Sequence, residues 1–93
     1  MSNQFEKLKH KYTRSFGQKQ KDIQAAWNDK AIKGLEGLLH KLSGSSGSYE
    51  FHQLSQLCRQ AMECISDNFE LEDAELFERC LDALFVEMDK YSN

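Results

Sequence analysis

Residues 38–50 read LLHKLSGSSGSYE: three leucines in the first five positions, a single histidine among them, then a run of serine and glycine. The leucines belong to a longer series, Ala31, Ile32, Leu35, Leu38, Leu39 and Leu42, whose three- and four-residue spacing is that of one face of an α-helix. The Ser/Gly run after it has the composition of a connection and leads into a second periodic block, Leu54, Leu57, Cys58, Ala61, Met62 and Ile65.

Working outward, the chain holds two more blocks of this kind. Phe5, Leu8, Tyr12, Phe16, Ile23, Ala26 and Trp27 stay within a stripe roughly 100° wide, which predicts one long helix with a kink at Gly17. Asn28-Asp29 offers a break and a new N-cap. Ala74, Phe77, Cys80, Leu81, Leu84, Phe85, Met88 and Tyr91 form the last block, with Glu70, Glu72 and Asp73 suited to the positive end of its helix. There is no proline, and no segment alternates as a strand would. The expectation is an all-α, antiparallel up-down four-helix bundle, with helices at roughly 4–28, 30–45, 50–67 and 71–91 in a single domain spanning 1–93.

Composition narrows the function classes. No apolar run approaches the roughly 20 residues a membrane span needs, and MSNQFEKLKHKY at the start lacks the apolar core of a signal peptide. Three cysteines, Cys58, Cys64 and Cys80, form no CxxC and give no disulfide framework, so a reduced, cytoplasmic setting is expected. Net charge is −3, unevenly spread: the first third of the chain is basic and the remainder acidic. A basic half can serve nucleic acid or an anionic membrane surface. These lysines lack a compact cluster or interleaved aromatics, so the preferred reading is a basic first helix beside an acidic last one, with neither nucleic acid nor membrane as partner.

The histidine in the opening stretch is unusual. With Leu35 at 0° on a helical wheel, the core leucines fall between about −60° and +60°, and His40 near 140°. Lys33, Gly44 and Gly37 lie close by, at roughly 160°, 180° and 200°. Two glycines within a helix cost about 0.8–1 kcal/mol each relative to alanine. They leave the imidazole bare and let another backbone approach it. An accessible histidine, with an ordinary pKa of about 6.5, presents a ring nitrogen able to attack an electrophile. A helical zinc site would want a second ligand three or four residues away, where Glu36 alone is available, so no metal is expected. Nor is there a convincing Ser/Cys-His-Asp grouping.

LLHKLSGSSGSYEFHQLSQLC resembles the signature of histidine-containing phosphotransfer (HPt) domains: an active histidine, an apolar residue two on, a glycine four on, small residues, then Leu-x2-Leu-Cys/Ala. Here these are His40, Leu42, Gly44, Ser45-Ser46-Gly47, and Leu54, Leu57 and Cys58. YTRSFGQKQKDIQAAWNDKAIKGLEGLLH upstream also resembles the family. The resemblance implies a phosphorelay carrier, not an enzyme in isolation, that takes a phosphoryl group on His40 from a receiver-domain aspartate or hybrid sensor histidine kinase. It would then hand the group to a response-regulator receiver. The receiver would supply Mg²⁺, and the carrier, expected to be a monomer, would need no cofactor.

Two departures from the family pattern stand out. The lysine usual three residues after the histidine is Ser43, which leaves Lys41 and Lys33 as candidate sources of supporting charge. A glycine common at the start of the third helix is Glu50. Gly37, Gly44 and Ser43 are the expected docking positions. The alternatives are a degenerate HPt-like adaptor that binds a receiver or kinase without transfer, and a basic-helix module for nucleic acid or membrane surfaces.

Overall fold

The computed structural model describes residues 3–91. Its helices are α1 (Asn3–Arg14), α2 (Phe16–Asn28), α3 (Ile32–Ser48), α4 (His52–Met62) and α5 (Ala74–Asp89). Helix α2 packs on α3, α3 on α4, α4 on α5, and α5 returns to α2, so four helices close a bundle of the expected all-α kind. Helix α1 continues the first of them, and the molecule is elongated, 45 × 21 × 19 Å.

One stripe from each of the four bundle helices fills the core. Phe16, Ile23 and Trp27 meet Leu35, Leu39 and Leu42, then Leu54, Cys58 and Ala61, then Phe77, Leu81, Leu84 and Met88. Burial of apolar area at about 25 cal/mol per Å² is the main force holding these helices together. The first block only partly joins them: Leu8 is 50% exposed, because α1 runs past the end of the bundle core.

Several boundaries differ from those read in the sequence. The first long helix breaks at Ser15, not Gly17: the Ser15 amide and hydroxyl both donate to the Tyr12 carbonyl, at 3.0 and 2.6 Å, tightening the turn. Gly17 is helical. Asn28-Asp29 ends α2 rather than capping α3. Ala31 stands at the N-cap position of α3, and Lys30 takes a left-handed φ of 55°.

Helix α3 runs through the Ser/Gly segment to Ser48, three residues past its expected end. It closes with a Schellman-type cap: Phe51 N–H donates to Ser46 O at 2.8 Å and Glu50 N–H to Gly47 O at 3.1 Å, with Glu50 at φ 68°. Helix α4 begins at His52 and stops at Met62, five residues before its expected end. Residues 63–73 instead form a loop pinned by an isolated Ile65–Leu71 bridge. Helix α5 starts at Ala74, three residues later than expected, because Asp73 caps it by accepting from the Leu76 amide at 3.0 Å.

Candidate functional site

His40 lies in the middle of α3, exposed, while its neighbours Leu39 and Leu42 are buried in the core. The burial of those leucines fixes the helix's rotation and therefore turns the imidazole outward. A Cβ added at Gly37 or at Gly44 would meet no atom within 4 Å, so the helix backbone is bare on both sides of the histidine. Gly44 is helical, not a left-handed cap. A second protein could approach this backbone closely, with the ring nitrogens as the first chemically competent atoms it met.

The three remaining candidates point in different directions. The Lys33 ammonium sits 5.6 Å from the centre of the Phe69 ring, drawn toward the α4–α5 loop. Lys41 lines a half-open groove of about 320 Å³ between α2 and α3, with Tyr12, Lys19, Asp22 and Leu38 among its walls. Ser43 turns the other way, toward α4. Its hydroxyl is 3.3 Å from Ser55 Oγ, and its carbonyl accepts from Ser55 Oγ at 2.9 Å.

Ser55 is buried, and it accepts a further hydrogen bond from Arg59 Nη2 at 3.0 Å. The sequence reading overlooked this Ser43–Ser55–Arg59 chain. A signal for it exists, since Ser55 and Arg59 share a helix face at i,i+4 and Arg59 is the sole Lys or Arg between Lys41 and Arg79.

Around the rest of the molecule, His10 and His52 are exposed on α1 and at the start of α4. Gln53 and Gln56 are exposed as well. Burial pushes the Cys58 thiol up to about 12. The Tyr12 hydroxyl is also raised by burial, against a hydrogen bond with Ser45 that lowers it. Among the described residues, no group of three or more His, Cys, Asp or Glu is placed to hold a metal ion, and no helix is long and apolar enough to cross a membrane.

The family model for the Hpt domain matches residues 7–90. The chain belongs to the Hpt family. Hpt domains are phosphoryl carriers in phosphorelays and generally interact with receiver domains. No curated protein sequence and no solved structure matches the chain. The four-helix bundle agrees with an Hpt domain, and His40 is the histidine that the bundle presents between two bare glycines.

Proposed function

We propose that this Hpt protein carries a phosphoryl group on His40, taken from a phosphorylated receiver aspartate or hybrid kinase and delivered to a response-regulator receiver. The observation that carries the reading is the exposure of His40 on a stretch of helix where Gly37 and Gly44 have open space beside them.

The chemistry asks little of the carrier. A ring nitrogen of His40 attacks phosphorus in line with the departing aspartyl oxygen; the P–O bond breaks as the P–N bond forms. Return to the next receiver reverses these steps. The receiver would supply the Mg²⁺ that neutralises the transferring oxygens. Gly37 and Gly44 let its loops come within bonding reach, and Ser43 borders the docking face on the α4 side. Lys41, about 100° around the helix from His40, and Lys33, about 10 Å along it, add a weaker positive field.

Incubation with a panel of phosphorylated receivers, followed by detection of acid-labile phosphohistidine, tests the proposal. Wild type, His10→Gln and His52→Gln should acquire the label, and His40→Gln should not. The His40 substitution, being exposed, should leave stability within about 0.5 kcal/mol. Receiver binding without any labelling would mark the protein as an adaptor instead.

A further inference from the structure

A phosphoryl group on His40 would bring about two negative charges to an exposed helix face on which the position three residues on, Ser43, carries none. Glu36, one turn before His40, adds a carboxylate nearby. A cation within reach is therefore worth seeking, and the lysines of α3 are directed elsewhere: Lys33 over Phe69, Lys41 into the α2 groove.

The neighbouring helix holds one. Helices α3 and α4 are joined by a three-residue turn and run antiparallel, with Ser55 opposite Ser43. Four residues further along α4 is about 6 Å of rise, which puts the Arg59 backbone level with Leu39 and His40, while its side chain reaches back along α4 to Ser55 and so lies beside Ser43, one turn on from His40. Its guanidinium is steered by the bond from Nη2 to Ser55 Oγ, itself anchored on Ser43. On the helical wheel Ser43 lies about 60° from His40, on the α4 side. The histidine is thus nearer the arginine's flank than that of Lys41. Arg59 is exposed, and no carboxylate lies within ion-pairing distance of it among the described residues. One of its five N–H donors is used at Ser55, so others can form the paired bonds a guanidinium makes to phosphoryl oxygens.

We infer that Arg59, held by Ser55, is the phosphoryl-binding cation of this protein, supplied from α4 to a group carried on α3. This rests on the proposed role of His40.

The test uses the full chain carrying His10→Gln and His52→Gln, so that His40 is its sole histidine. Phosphoramidate serves as donor: the imidazole nitrogen attacks phosphorus, the P–N bond to ammonia breaks, and the ammonia leaves with the proton lost by the ring. Phosphorus NMR then follows the second ionisation of the phosphoryl group with pH. In Arg59→Gln that titration should move up by about 0.3–0.7 of a pH unit, the size of an exposed ion pair. Arg59→Lys should give a smaller rise, and Ser43→Lys added to Arg59→Gln should bring the titration back down. Arg79→Gln, on the far side of the bundle, should leave it unchanged.

A titration indifferent to Arg59→Gln, in a protein whose His40 is phosphorylated, would overturn the inference and leave the carrier role standing. Failure of His40 to accept phosphate from both phosphoramidate and the receiver panel would overturn the two together.

Discussion

Glu50 holds a backbone conformation that favours glycine. Its φ of 68° costs a residue with a Cβ about 1–2 kcal/mol, and the turn persists because the two capping hydrogen bonds from Phe51 and Glu50 require it. The resemblance to the family implies glycine at this position, and a left-handed φ is a physical reason for one. Glu50→Gly should therefore raise stability by about 0.5–1 kcal/mol, after the extra chain entropy glycine brings to the unfolded state. A denaturant titration would read this as a higher midpoint at constant slope. A lower midpoint would mean that the glutamate side chain contributes more than its backbone costs. Lys30 and Phe69, at φ 55° and 58°, belong to the same class but had no such mark in the sequence, since neither residue type signals a left-handed turn.

At the scale of the elements, α3 runs against its local composition where it continues through the Ser/Gly segment. Ser and Gly are weak helix formers, and SGSSGS read alone is a linker. Tertiary contacts decide otherwise: Ser46 is fully buried, its hydroxyl donates to Ser43 O at 3.2 Å, and Ser55 reaches the same carbonyl from α4. The leucine periodicity was legible because it reports burial directly, whereas these serines are held by a neighbour that local spacing cannot reveal. The same gap hid Arg59, although His40, Gly37 and Gly44 could be placed on one face from spacing alone.

The helical state of Gly44 then carries a prediction. Gly37→Ala and Gly44→Ala each add a methyl into open space and should stabilise the fold by up to about 1 kcal/mol. Gly37→Gln and Gly44→Gln should fold as well as wild type yet slow phosphoryl transfer from receivers, because the longer side chain stands where the partner's loops must come. Thermal melts beside transfer kinetics would separate the two effects. Glutamine variants that transfer at the wild-type rate would remove the docking role of these glycines.

For the whole molecule, the closed ring of helices puts a thiol at its centre. Cys58 is fully buried among Leu, Phe and Met side chains, and this environment raises its pKa from an ordinary value of 9.0 to about 12. A raised value for a group that is neutral when protonated means the folded chain retains a proton the unfolded chain gives up. Stability from this source is complete below pH 9 and is lost as pH rises from about 9 toward about 12, at a limiting slope of about 1.4 kcal/mol per pH unit. Burial raises Tyr12 too, so the tyrosine adds to the decline at the upper end of that window. Unfolding free energies measured from pH 7 to 11 should thus be flat at first and then fall. Cys58→Ala will lower stability near neutral pH by leaving a cavity, but it should also make the fall above pH 9 shallower. The change of slope is the diagnostic, because a cavity does not titrate. A thiol reagent at pH 8 should modify partly exposed Cys80 well before Cys58, which should react only as the bundle opens. If Cys58→Ala leaves the alkaline slope as steep as in wild type, the buried thiol is not what limits the stability of this bundle at high pH.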